Sequence, residues 1–524
     1  MRFTKKEGVT EGLVHPETVF LMLLAASAGL ILIQVAVSQL VPNSSALLGR
    51  LPSGLTGRDA MEALSSVAEV IAAVLGIAIT VVAIVVELAA NRYSHQITRL
   101  FLTAPNNLLV LSLYALTTIQ CIWVGVILAP EPGFGTFFTL VITMIMASVS
   151  LISLVPYIYS IFSFLSPDAV VRRIGAITLR QVVKAQSDAS SYRQDAVETG
   201  IDELQDVARS AITHGDREIA MLAVNSLSDF LIEYHAIKQT LPEDWFRVSE
   251  EIRQDPDFIA LSDSSLSMIN EQGLWVERKV FRRLLSLMAQ SAHGERDVAH
   301  LISIRTREIA GSLGQGTPGL MDLCLFSYNS YLRTMLNAGD IRTTYYLFGQ
   351  YRLLAESLLG TPHEARVLEI ARYFKEYGHV GHQRGFSFLL ETASFDLMTL
   401  IGQAASTAPE LAEPLIDIAS TFELGPPSGT DKTNTSGLMR IKIQLACLLM
   451  ARGFDNLAIP LIDRLANEDD SLLTAIRDDL IAESRPHYWE LIDRGINFLY
   501  LPSEQRVMLD PLFAKISAHR GQNR

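Results

Sequence analysis

Two glutamates set inside an apolar stretch are the side chains best placed for chemistry. Met61 to Leu102 reads MEALSSVAEVIAAVLGIAITVVAIVVELAANRYSHQITRLFL, with Glu69 and Glu87 near the two ends of its apolar centre, residues 67–90. On a helix at ~100° per residue, Glu62, Ser65, Glu69, Ala72, Ala73, Gly76, Thr80, Ala83, Glu87, Asn91, Ser94 and Thr98 fall on one face. Val70, Val74, Ile77, Val81, Val85 and Leu88 fall away from it. The two glutamates are separated by five turns, about 27 Å at 1.5 Å per residue, so each sits near one edge of the hydrocarbon. An ionisable group costs ~2.5–3.5 kcal/mol at the centre of a span and seldom faces lipid. Two roles fit this polar stripe of Glu62, Glu69, Ala72, Gly76, Thr80, Ala83, Glu87 and Asn91. One is the lining of an ion path, with carboxylates at both mouths and Gly76 and Thr80 at the waist. The other is a seam of close helix packing, in which the small residues admit a neighbour and the glutamates reach the headgroups.

Other chemistry-bearing residues read as structural. His363, His379 and His382 suggest a metal, but EYGHVGHQRG is rich in glycine and no cysteine or acidic partner stands at ligand spacing. That stretch is expected to be a solvated turn. H-E-x-x-H, G-x-S-x-G, the P-loop pattern and G-x-G-x-x-G are all absent. RPHYWELIDRGINFLYLPSEQR, Arg485 to Arg506, is dense in aromatics and charges. Structural closure of a domain is the expectation there, because aromatics at helical spacing usually pack. No catalytic, cofactor or metal residues are therefore assigned, and the chain reads as non-enzymatic.

Composition narrows the class. The chain has 524 residues, with 43 basic against 56 acidic side chains and a net charge of -13. That balance argues against nucleic-acid binding, which needs clustered Lys and Arg. A mean hydropathy of +0.26 at 19% charged residues implies segregation, and the long apolar runs all precede Pro167. Cys121, Cys324 and Cys447 are widely spaced and suit neither a disulfide framework nor a zinc site. Small buried residues are the expectation for them.

The elements that position the stripe follow in order. A polar tail, residues 1–16, holds Arg2, Lys5 and Lys6 and is not a secretory signal. A membrane domain, residues 17–166, has four expected spans near 18–41, 67–90, 106–129 and 134–164. Ala25 and Gly29 form a small-x-x-x-small pair on the first. Aromatic residues flank the fourth, in which Pro156 should mark a kink or an exit from the hydrocarbon. Arg92, His95 and Arg99 follow the second span, and Arg172, Arg173, Arg180 and Lys184 follow the fourth. The opposite loops hold only Arg50 and Arg58. This asymmetry places both termini in the cytoplasm.

Residues 167–524 read as a cytoplasmic α-helical domain of amphipathic helices joined by short polar breakers, with strand signals nearly absent. Thr213–Asp216, Asn337–Asp340 and Ala451–Asp455 separate three helical pairs. Gly311–Gly319 and residues 425–437 read as loops, the second flexible. The fold class is all-α, a four-helix transmembrane region followed by a helical bundle or an irregular helical-hairpin solenoid.

VVAIVVELAANRYSHQITRLFL (Val81 to Leu102), the paired spans around a short loop, and DVARSAITHGDREIAMLAVNSLSDFL (Asp206 to Leu231) carry a likeness. Across residues 17–235 the chain resembles the bacterial predicted membrane proteins catalogued as domain of unknown function 2254. Ile219 and Ala220 stand where that family has other residues, and its usual proline is missing. The resemblance implies an inner-membrane location and no particular chemistry. Two expectations follow. The first is a scaffold or sensor whose cytoplasmic domain binds a protein partner or its own copies. The second is an oligomeric channel or transporter subunit lined by the second span. The expected partners are the lipid bilayer, further copies of the chain and a cytoplasmic protein.

Overall fold

The structure is a computed structural model that describes residues 16–40, 57–92, 105–127, 134–164, 166–292, 294–422, 432–487 and 494–522. The basic residues Arg2, Lys5, Lys6, Arg50, His95 and Arg99 lie outside the described residues, as do residues 425–431 of the expected flexible loop. The chain divides into two compact units, Met1–Ile177 and Thr178–Arg524.

Among the described residues the first unit holds the helices α1 (Pro16–Leu40), α2 (Gly57–Arg92), α3 (Pro105–Ile127) and α4 (Phe134–Phe164). Three are long and apolar enough to cross a membrane, over Ser65–Leu88, Asn107–Val124 and Thr139–Ile161. In α1 the apolar stretch among the described residues is Met22–Ile33. The two central helices are α3 and α4, which pack on each other, while α1 and α2 each pack on both. Ile71 of α2 is buried with Tyr114, Cys121 and Ala147, and Val82 and Val86 are buried with Tyr157 and Ile161. The helix α4 runs on through Pro156.

The second unit is helical, and its described residues contain no strand beyond one isolated bridge, His487 to Ile496. Its helices are α5 (Pro167–Ala185, shared with the first unit), α6 (Ser191–His214), α7 (Arg217–Lys238), the short α8 (Glu250–Arg253), α9 (Asp263–Gln272), α10 (Trp275–Ser291), α11 (Arg296–Ser312), α12 (Pro318–Ala338), α13 (Ile341–Leu358) and α14 (Ala365–Gln383). There follow α15 (Ser387–Thr407), α16 (Pro409–Ser420), α17 (Lys432–Ala451), α18 (Asp455–Ala466), α19 (Asp470–Ala482), α20 (Ser503–Arg506) and α21 (Leu509–Gln522). They stack in two rows. In one row α6, α10, α12, α14, α16 and α18 pack each on the next, and in the other α7, α11, α13, α15 and α17 do so. The three polar breakers act as helix stops. Gly215, Gly339 and Gly453 take φ of 74°, 73° and 80°, left-handed conformations that glycine adopts without a Cβ penalty. Asp340 then starts α13 by accepting the Thr343 amide at 3.1 Å.

Two loop expectations are corrected. His379 and His382 lie in α14, which continues to Gln383. The turn glycine is Gly385, at φ 88°. Gly378 and Gly381 instead permit close approach of α15, since a Cβ on either would come to 3.1 Å from Leu390 or Leu389. Residues 432–437 belong to α17 and not to a loop.

Candidate functional site

The densest constellation of charge lies where α6, α10 and the turn after α8 meet, and sequence reasoning did not find it. Glu198 and Asp202 stand one turn apart on α6, and Lys279 and Arg283 one turn apart on α10. Between them the turn Asp255–Pro256–Asp257 is fixed by the Asp257 amide donating to Asp255 Oδ1 at 2.8 Å. The Lys279 ammonium is fully buried and lies 2.8 Å from Asp255, 3.1 Å from Glu198, 3.2 Å from Asp202 and 3.6 Å from Asp257. Arg283 adds contacts of 2.7 Å to Asp202 and 3.1 Å to Asp257. Carboxylate oxygens of Glu198, Asp202 and Asp255 all lie within 4.8 Å of one another.

Burial pushes the Glu198 carboxyl up to about 8, helped by its hydrogen bond with Asp255 and opposed by Lys279. Asp255 moves the other way: hydrogen bonds from Glu198 and Lys279 overcome its burial and hold it below the carboxylate range. Burial also raises Asp202 against the pull of Lys279 and Arg283. For Lys279, burial works downward, but Asp202 and Glu198 outweigh it and raise the amine. A lysine held in its charged form is no nucleophile or base at neutral pH. The arrangement is therefore suited to hold charge and protons, and the three carboxylates that would otherwise suit a cation already face an ammonium.

A second buried ion pair, Lys238 to Glu277 at 2.5 Å, joins α7 to α10. A third centres on the fully buried Asp396 of α15, which receives Arg494 and, at 3.0 Å, Arg352. The Arg494 guanidinium also lies 4.7 Å over the Tyr345 ring, and Phe498 stacks on Phe395 at 4.5 Å. The described part of Arg485–Arg506 thus packs as a closing segment. His379 sits edge-on to Phe422, and His382 Nδ1 lies 3.0 Å from Ser387 Oγ. No histidine joins a potential metal-ligand group among the described residues. Cys121, Cys324 and Cys447 are free and buried, and burial pushes Cys447 up to about 12.

The stripe of α2 points away from the helices that α2 packs on. Glu62, Ser65, Glu69, Ala72, Ala73, Gly76, Thr80, Ala83 and Glu87 are all exposed, whereas Ile71, Val82 and Val86 are buried. The side chain of Asn91 lies outside the described residues, as do Ser94 and Thr98. Thr80 Oγ1 donates to Gly76 O at 2.8 Å, which satisfies its hydroxyl within the helix. Buried polarity lies elsewhere, on α3 and α4, in Asn107, Thr117, Gln120, Thr143 and Ser150. Thr117 and Ser150 hydrogen-bond across the two helices at 2.8 Å. The seven-residue step Thr143, Ser150, Tyr157 was visible in the sequence as one face, but it carries no charge to draw notice. The ionic cluster had a weaker signal, an acid pair and a basic pair at i, i+4 on helices some eighty residues apart.

Apolar helices of spanning length, joined to helices that bury their charges in pairs, define an all-helical membrane protein. Residues 16–224 match the model of a family described as predicted membrane protein (DUF2254). The match takes in α1 to α6 and the first part of α7, and so includes Glu198 and Asp202 but not Lys279. No curated protein and no solved structure matches the chain.

Proposed function

We propose that this chain is a multi-spanning inner-membrane protein that assembles with its own copies through the polar face of α2. Its second unit serves as a cytoplasmic solenoid of helical hairpins for protein interaction, and the protein acts as a non-enzymatic scaffold or sensor. One observation carries the reading: the described carboxylates of α2, Glu62, Glu69 and Glu87, are exposed on a face turned away from α3 and α4. Such a face is costly against lipid, and its small residues suit close approach of another helix. A second copy supplies that helix. In this reading α1 to α4 all span the membrane and both termini are cytoplasmic, by the asymmetry of basic residues near the span ends.

Cross-linking in native membranes tests the assembly. In a background with the three native cysteines replaced, Ala72→Cys and Ala83→Cys should form disulfide-linked dimers, while Ile77→Cys on another face should not. Monomeric mass in detergent together with no cross-link at either alanine overturns the reading. For topology, a cysteine at Ser187 should stay unlabelled by an impermeant reagent applied outside intact cells.

A second reading is favoured by Glu69 and Glu87 sharing that outward face. Copies arranged in a ring would line an ion path with it. Glu87→Gln should then change ion selectivity in liposomes while leaving assembly intact.

A further inference from the structure

We propose that Glu198 and Asp255 hold a single shared proton, and that this proton latches α6, the 255–257 turn and α10 together. The ligand of the site is a proton, and the proposal stands whether or not copies assemble through α2. The first argument is charge balance. Glu198, Asp202, Asp255 and Asp257 face Lys279 and Arg283 in a site whose acids are at most about one-third exposed. Arg282, 3.5 Å from Asp257, is 47% exposed and screened by water. Arg278 acts on Asp257 as well, so the unmatched acid is Glu198, which has no arginine contact among the described residues and is costly to ionise where water is largely excluded.

Geometry selects the pair. Glu198 and Asp255 both touch the Lys279 ammonium, at 3.1 and 2.8 Å, from opposite elements, and their carboxylate oxygens lie within 4.8 Å of each other. Two carboxyl groups can share a hydrogen bond only if one of them carries a proton. Asp202, Asp257 and Asp255 also contact Arg283, at 2.7, 3.1 and 3.6 Å, so Glu198, which has Lys279 alone, is the one that carries the proton and Asp255 accepts it. The groups facing Glu198 are Asp255 from the turn, Lys279 from α10 and Asp202 on its own helix; the ion pairs of α7 go to Asp297, Arg305 and Glu277 instead.

Removing the proton would set two buried anions against each other and open α6 from the turn. The same helix carries Gly200, where a Cβ would clash with the Thr178 side chain of α5. The sign follows from the unfolded chain, where Glu198 ionises in the ordinary range. Folding raises it to about 8, so its contribution to stability is complete below the ordinary range and is lost as pH rises through about 8. Asp255, held low, contributes stability above its ordinary range and loses it only in acid.

Infrared difference spectroscopy on the full chain in detergent tests the latch. The wild type should lose a protonated-carboxyl band as pH passes about 8, and its unfolding midpoint should fall over the same interval. Glu198→Gln, which imitates the protonated acid, should lack the band and show no such fall. Asp255→Asn, checked for helix content by circular dichroism, should also lose the band and covers the case in which Glu198→Gln fails to fold. The proposal is overturned if the band and the fall in midpoint persist in a folded variant of either kind, or if the wild type shows no carboxyl titrating in that interval.

Discussion

The two units treat polar groups in opposite ways. In the second, buried charges are paired within the chain: Lys279 has four carboxylates, Glu277 has Lys238, and Asp396 has Arg352 and Arg494. In the first, the described side chains buried between helices are neutral hydroxyls and amides, and the glutamates of α2 stand outside. The contrast follows from solvent. A helical unit without apolar spanning helices among its described residues can bury an ion pair where the pair makes its own hydrogen bonds. A spanning bundle has only hydrocarbon around it, so polarity left on its outer face calls for another protein surface. Among the described residues the named buried charges of the second unit meet partners within it, whereas the glutamates of α2 meet none in theirs.

The largest effect should come from breaking the inward arrangement. Lys279→Ala removes the cation from the cluster and leaves its carboxylates buried, so it should destabilise the second unit by about 3–5 kcal/mol. Chemical denaturation followed by far-UV circular dichroism measures this, and a loss under about 1 kcal/mol would place the cluster among ordinary surface ion pairs.

Gly76→Leu separates the units most directly. A Cβ at Gly76 meets nothing within 4 Å in its own chain, so the folded monomer should tolerate it. Assembly through the stripe should weaken by about 1–3 kcal/mol from overpacking, and Ile77→Leu should leave it unchanged. Sedimentation in detergent reads both. A Gly76→Leu protein that assembles like wild type without any change in flux would show that the outward face has no partner.

The smallest effect belongs to the neutral seam. Thr117→Val removes the bridge to Ser150, with Thr117 already back-bonded to Leu113 O at 2.8 Å. The expected loss is about 0.6 kcal/mol and at most about 1.7 kcal/mol, read as a small drop in thermal midpoint. A loss comparable with that of Lys279→Ala would erase the contrast between the units.

The sequence by itself determined what depends on local order. Length and hydropathy marked the apolar helices, and the expected span 134–164 coincides with α4. Glycine followed by aspartate in Thr213–Asp216 and Asn337–Asp340 located helix stops because left-handed φ is a local demand. The stripe on α2 was readable as a face, since helical periodicity needs no tertiary knowledge. Its direction was not, because a polar face can turn inward or outward with the same spacing, and only the packing of α2 on α3 and α4 decided that. The histidine stretch misled for a related reason: Gly378 and Gly381 looked like turn residues, and only the approach of α15 shows why a helix needs them. The ionic cluster was least accessible. Glu198 and Lys279 are ordinary members of amphipathic helices until the stacking of α6 on α10 removes water from both and sets the carboxyl against the ammonium.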